Sequence, residues 1–331
     1  MNQEAKTIRT FSLLDFITKW GTLLTIAILI LVFSLTMDTF FTLSNLITIM
    51  RAVSIVTVVA IGMTFSLTVG GMDLSVGATA TLANTICMSL FVWNAMGSRP
   101  GGTLLAILIT VGVCTLVGLL NSLLIVRLKI PDMLATLSTM FVLEGVATTF
   151  AGGGAINENM VKNGVTATGK VSEAFRVIGR APAIIIIMLF IVLIIFVFLT
   201  YTKHGRFLYA VGGNSEAARL SGININRYRT IAYILSAMLA AVGGILIGAR
   251  VGNAQINSGT PYLMGSVAAA HIGMSVAGIG RPNALGTLVG AVLIGVLENG
   301  LIMAAVPYYS VNIFKGIVLA IALALNYARK K

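Results

Sequence analysis

The chain has 331 residues, of which 57% are apolar and 10% charged, against about 25% charge in an ordinary soluble domain. That balance excludes a soluble globular protein, and apolar runs of about 20 residues exclude the short alternating strands of a membrane barrel. The net charge of +12 comes from 22 Lys plus Arg against 10 Asp plus Glu; the basic residues lie between apolar runs, which points to membrane topology and anionic lipid, with no nucleic-acid partner.

In chain order, residues 1–19 are polar and basic and are expected to form a cytoplasmic N-terminus ahead of an uncleaved first span, Trp20–Met37. Asp38–Met50 reads as interfacial, with Asn45 able to start a helix. Span 2 (Val53–Val69) ends in GGMDLSVG at Gly70–Gly77, and span 3 runs from Val76 to Met96. Span 4 (Thr103–Val126) is closed by Pro131, and Asp132 is placed to cap span 5, Met133–Phe150. The polar segment 151–182 opens on three glycines. Span 6 (Pro182–Thr200) leads into the basic stretch 201–229, then span 7 at Thr230–Ala249 and a polar turn at Gly252–Tyr262. Span 8 (Leu263–Ile279) is Ala- and Gly-rich, GRPN punctuates at Gly280–Asn283, and spans 9 (Ala284–Met303) and 10 (Val311–Tyr327) follow.

These elements predict an all-α integral membrane protein: one permease domain over 1–331, about ten transmembrane helices and both termini on one side. In that layout one side receives 14 of the Lys and Arg and the other 8, four of which lie in 151–182. The richer side is therefore cytoplasmic and segment 151–182 extracytoplasmic. A short echo, Ile61-Gly62-Met63-Thr64 before GGMDLSVGA and Ile272-Gly273-Met274-Ser275 before GRPNALGTLVGA, hints at two loosely related halves, as in many transporters.

No chemistry-bearing constellation stands out. There is no GxxxxGK[ST] loop, no GxSxG, no HExxH and no Cys/His cluster, so neither ATP hydrolysis by a P-loop nor a metal or other cofactor is expected of this chain. Cys87 and Cys114 fall inside apolar runs and read as packing residues. Glu144 and Glu298 also lie in apolar runs, where a charge costs roughly 2.5–3.5 kcal/mol, so each should face the interior or find a partner. For Glu298 those partners are Asn299 and Lys315; Glu144 has none in evidence. Thr68, Asn84, Asn121, Thr136, Glu298 and Asn299 are candidates to line a path for a neutral polar solute, and equally small or polar residues at helix contacts. In GGMDLSVG, Gly70 and Gly71 free the backbone, Asp73 and Ser75 are placed to cap span 3, and Gly77 follows. The motif is either a good cap on a tight turn or a hinge at the inner mouth of the path.

Within 201–229, Asn214 can cap a short helix with Glu216 in its first turn and Gly222 as its stop, so NSEAARLSG reads as two helical turns. A short, capped, basic helix between two spans is a handle that a cytoplasmic partner can grip, or a plain solvated loop obeying the positive-inside rule.

GGMDLSVG and HGRFLYAVGGNSEAARLSGIN resemble the membrane-spanning permease subunit of bacterial ABC importers for simple sugars, the ribose/xylose/galactose group, and the resemblance runs from about Asn45 to Asn326. It implies that 201–229 holds the coupling helix that docks on a separate ATP-hydrolysing subunit. The residues carried over are Gly205, Arg206, Gly212, Gly213, Asn214, Glu216, Ala217, Ala218, Arg219 and Gly222. It also implies an extracytoplasmic solute-binding protein, a second permease copy or paralogue, a bacterial inner membrane location, and ATP bound by the partner only. The chain departs from that pattern where the family often has Glu-Leu-Asp and this chain has Leu263-Met264-Gly265, at Glu144 where an Arg is frequent, and at Glu298 where an Asn is frequent. These departures bear on the solute: riboflavin, a nucleoside or an autoinducer-type ligand stands beside a pentose or hexose. A secondary transporter driven by protons or sodium through Glu144 or Glu298 is the other class that fits.

Overall fold

A computed structural model describes residues 13–162, 164–276 and 279–328. The basic ends, with Lys6, Arg9 and the final Arg-Lys-Lys, lie outside the described residues. The protein is an all-α membrane protein. Its helices are α1 (Leu13–Thr36), α2 (Leu43–Thr68), α3 (Val76–Val92), α4 (Gly102–Ser122), α5 (Asp132–Phe150), α6 (Glu173–Ile178), α7 (Ala183–Tyr201), α8 (Lys203–Gly213), α9 (Ser215–Leu220), α10 (Ile225–Val251), α11 (Thr260–Ser275), α12 (Ala284–Met303) and α13 (Val311–Ala328). A small antiparallel hairpin pairs β1 (Val161–Lys162) with β2 (Val165–Thr166). Among the described residues six helices are long and apolar enough to cross a membrane: α2, α4 with its π-turn extension to Arg127, α5, α7, α10 and α12.

Three local readings change. α2 begins ten residues earlier than the apolar run (53 minus 43), because Thr42 accepts a hydrogen bond from the Asn45 amide and caps it. Residues 43–50 of the supposed interfacial stretch are thus the first turns of α2. Asp132 is the first residue of α5 and caps nothing; its carboxylate is taken by Arg229. Ser75 precedes α3 without a side-chain cap, because its hydroxyl donates to Asp73 instead, at 2.6 Å. Described residues of segment 151–182 are tied to the bundle: Ile156 pairs with Ala254 as an isolated bridge, Ser172 caps α6, and Phe175 is buried against Phe91.

α2 and α10 cross at the centre of the bundle. Gly62 makes this crossing close, since a Cβ there would lie 2.9 Å from the Ser236 carbonyl oxygen. Around the crossing the packing is reciprocal. α10 packs on α3 and α4, and α2 packs on α11 and α12; α3 contacts α4 and α5, and α11 contacts α12 and α13. This pairs α2 with α10, which is a different correspondence from the short echo, where the α2–α3 joint was set against the α11–α12 joint.

α3 and α11 have 17 and 16 residues, about 25 Å each and short of a 30 Å hydrocarbon core. Both start inside the bundle. Asp73, just before α3, meets Ser236, eleven residues into α10 (236 minus 225) and so about 17 Å along it. The Gly259 amide, just before α11, donates to Thr81 Oγ1 of α3 at 2.9 Å.

Candidate functional site

Two features flank this central level. One end of the bundle carries the α8–α9 lever and the other opens into a cavity.

Three consecutive caps shape the lever. Thr202 accepts from the Gly205 amide at 3.1 Å, Asn214 from Ala217 at 3.0 Å and Asn224 from Arg227 at 3.0 Å. Each cap starts a new helix in a new direction, so the chain turns sharply without losing backbone hydrogen bonds. α9 ends as expected: Gly222 has φ +79°, and the amides of Gly222 and Ile223 return to the Arg219 and Ala218 carbonyls. Ala218 is buried, whereas Ala217, Gly213 and the Glu216–Arg219 ion pair (2.8 Å) are exposed. Leu220 is 83% exposed at the tip. The eleven-residue α8 was not foreseen. Gly205 packs on the Leu199 carbonyl and Gly212 on the Thr68 carbonyl, each with no room for a Cβ. Exposed Arg206 reaches the Tyr201 carbonyl. Tyr209 donates to the Pro282 carbonyl at 2.6 Å, under the Arg281 guanidinium. α8 therefore touches both the α2–α3 joint and the α11–α12 joint.

At the α2–α3 joint a buried network surrounds Asp73. Ser75 N and Oγ donate to one carboxylate oxygen (3.0 and 2.6 Å), and Ser236 Oγ donates to the other at 2.7 Å. Asn121 donates to Ser75 Oγ at 2.9 Å. Thr136 Oγ1 accepts from the Leu74 amide at 3.1 Å, and the Asp73 amide donates to Ser66 Oγ. Gly70 (φ +78°) lies against Gly212, and a Cβ on Gly71 would strike Asp132 and Tyr233. Gly77 abuts Gly259. Arg229 grips the Asp132 carboxylate with one nitrogen on both oxygens.

At the opposite end a cavity of about 590 Å³ is lined by α2 (Thr48, Ala52), α3 (Asn84), the end of α10 (Arg250), the 253–258 loop, α11 (Tyr262, Gly265), α12 (Glu298, Asn299) and Lys315 of α13. Glu298 and Lys315 pair at 2.9 Å, as the sequence allowed. Asn299 instead exchanges two amide hydrogen bonds with Asn45, at 3.0 and 3.1 Å. Asn84 donates to Ser258 Oγ at 3.0 Å. Such a wall offers donors and acceptors to a small hydroxylated solute.

Of the candidate path residues, Asn84, Glu298 and Asn299 line this cavity. Thr68, Asn121 and Thr136 do not: Thr68 donates to the Phe65 carbonyl, and the other two brace the Asp73 joint. Arg250, Asn257 and Tyr262 were missed; the amide-rich NAQINSG turn was the signal for Asn257. Two departures from the sugar-permease pattern, Gly265 and Glu298, face the same cavity. Glu144 is half-buried and accepts from Thr260 Oγ1 at 3.4 Å.

Residues 45–323 match the family model described as "Branched-chain amino acid transport system / permease component". The ribose import permease protein RbsC of Bacillus subtilis is 34% identical over 320 residues, covering 95% of this chain and 93% of that protein. RbsC of Escherichia coli K12 is 32% identical, over 92% of each. The galactose/methyl galactoside import permease protein MglC of the same strain is 28% identical, over 97% and 98%. No solved structure matches the chain. With the match covering most of its length, the chain belongs to the branched-chain amino acid transport system / permease component family.

Proposed function

We propose that the chain is the membrane permease subunit of an ATP-driven importer for a simple sugar or sugar-like solute. The observation that carries this is the α8–α9 lever seated on both helix joints of a bundle whose other end holds a solute-sized polar cavity. The names of the similar permeases support a pentose or hexose. A partner ATPase docks on α9 and hydrolyses the nucleotide, while this chain and a second permease copy or paralogue surround a central path. The reading includes ten spans with both ends cytoplasmic, two related halves, a bacterial inner membrane and a second permease copy or paralogue alongside. Segment 151–182 is the docking surface for a solute-binding protein; the Ile156–Ala254 bridge ties it to the loop that rims the cavity. Glu298 already has its charge met by Lys315, which makes it a poor carrier for a coupling cation.

Uptake of labelled ribose and galactose by cells lacking and then regaining this chain tests the reading. Uptake should return with the chain and vanish when the partner ATPase cannot hydrolyse ATP. Uptake that survives that loss but collapses with the proton gradient would refute it. On the lever, the double exchange Glu216→Lys with Arg219→Glu keeps an ion pair within α9 and should change stability by no more than about 0.5 kcal/mol. It reverses the charge pattern offered to the partner, so copurification of the ATPase should fall at least about tenfold. Unchanged complex yield would remove α9 from the interface.

A further inference from the structure

The joint between α4 and α5 departs from regular helix in two ways. Its last turn widens into a π-turn over Leu123–Arg127, a feature that often marks functional positions. Lys129 then takes the left-handed conformation, φ +56°. Two amide bonds fix that bend: Leu128 donates to the Leu123 carbonyl and Ile130 to the Leu124 carbonyl, each at 3.1 Å. Glycine or asparagine is the usual choice at such a helix stop. A lysine there is held against its own backbone preference, with its side chain exposed.

This bend forms one wall of a second cavity, of about 430 Å³, at the lever end. Lys129, Ile130 and Asp132 line it from the joint, and Asn226 and Arg229 from the start of α10. Asp132 already has its charge met by Arg229. Among the described residues neither Lys129 nor Arg127, two positions before it, enters an ion pair. The cavity therefore carries an uncompensated positive charge and a polar amide beside it.

An apolar track leads to this charge. Leu105, Leu108, Leu116, Leu119 and Leu123 are all exposed and recur at three- and four-residue steps along α4. They form one stripe about 27 Å long, close to the thickness of a hydrocarbon core. Leu128, also exposed, continues it to the bend. Exposed leucines that stop at unpaired cations suit an amphiphile with an anionic head. A second copy of this chain, with its own net charge of +12, brings no opposite charge to the same place.

We infer that the cavity between the α4–α5 joint and the start of α10 is a binding site for the phosphate headgroup of an anionic phospholipid, whose acyl chains lie along the leucine stripe of α4. Lys129 and Arg127 supply the attraction and Asn226 a donor to the headgroup oxygens. The inference rests on the lever end lying at the cytoplasmic leaflet, as proposed above.

The test titrates phosphatidylglycerol into the detergent-solubilised chain, alone and with its ATPase partner, and follows the thermal midpoint. It needs no transported solute, so it succeeds or fails apart from the uptake experiment. Phosphatidylglycerol should raise the midpoint saturably, and phosphatidylcholine should not. Arg127→Gln with Lys129→Gln should require at least about tenfold more phosphatidylglycerol. The matched pair Arg99→Gln with Lys170→Gln, exposed residues at the opposite end, should respond as wild type. Lys129→Gly separates site from scaffold: it relieves the left-handed backbone, so the lipid-free midpoint should hold or rise while the lipid response weakens. The inference is overturned if phosphatidylcholine works equally well, or if the lever-end variants respond as wild type. A shift reproduced by inorganic phosphate alone would make this a site for free anions and overturn the lipid assignment. A lipid response abolished by the bound ATPase would assign the basic patch to that interface and overturn it too.

Discussion

Gly212→Val should abolish transport, with uptake falling by about a hundredfold or more while the chain still inserts and folds. A Cβ at 212 would overlap the Thr68 carbonyl and lie 3.0 Å from the Gly70 amide. Both obstacles are backbone, so neither rotates away. Either α8 lifts off the α2–α3 joint or that joint deforms; overpacking of this kind costs roughly 1–3 kcal/mol. At 1.4 kcal/mol per factor of ten, the upper figure takes about two decades from the population in which lever and joint move together. Most of the bundle is untouched, because only α8 sits at this contact. The check is labelled-sugar uptake beside membrane content and ATPase copurification. Retained copurification with lost uptake is the expected pair, and near-normal uptake would show that the contact transmits nothing. Gly213, with open space around it, serves as the control: Gly213→Ala should be nearly silent.

Arg229→Met should destabilise the chain by about 3 kcal/mol, the largest stability effect expected of a single exchange here. The Arg229 and Asp132 side chains are 29% and 13% exposed, and breaking a buried pair leaves the surviving charge uncompensated. Asp132 would be stranded beside Gly71 and Tyr233. Adding Asp132→Leu removes that charge and should recover most of the loss, since an apolar replacement of both partners is often neutral. A fall in thermal midpoint for the single variant, with recovery in the double, checks this in detergent. Equal loss in both would mean that Arg229 acts through packing alone.

The lever was legible because its signals are local. Asn214, Glu216 and Gly222 sit at helix-terminus spacing, and the observed α9 has that cap, first-turn acid and left-handed stop. Pro131 likewise marked the break before α5. Where a local rule had a stronger competitor it failed. Asp132 and Ser75 had the right type and position for caps, but Arg229, 97 residues on, and Asp73 claimed them first. A charge-assisted bond outbids a neutral one, and nothing at spacing three or four discloses the bidder.

The cavity shows the same division. Glu298 and Lys315 were visible as a pair one helical hairpin apart, but Asn299 found Asn45, 254 residues away. Thr68, Asn121 and Thr136 were indistinguishable in sequence from Asn84, yet Thr68 bonds back to its own helix and the other two brace a joint.

The sequence by itself determined that this is a helical membrane protein without nucleotide-hydrolysing motifs, where most helices run, and that a capped polar lever interrupts them. Composition, apolar run length and capping chemistry are properties of neighbouring residues, so they survive without a fold. Only the tertiary structure decided which polar groups face a void and which face one another. It also set α8 on two joints and paired α2 with α10. Those facts depend on how helices far apart in the chain come to lie side by side, and close packing makes that a property of the whole bundle.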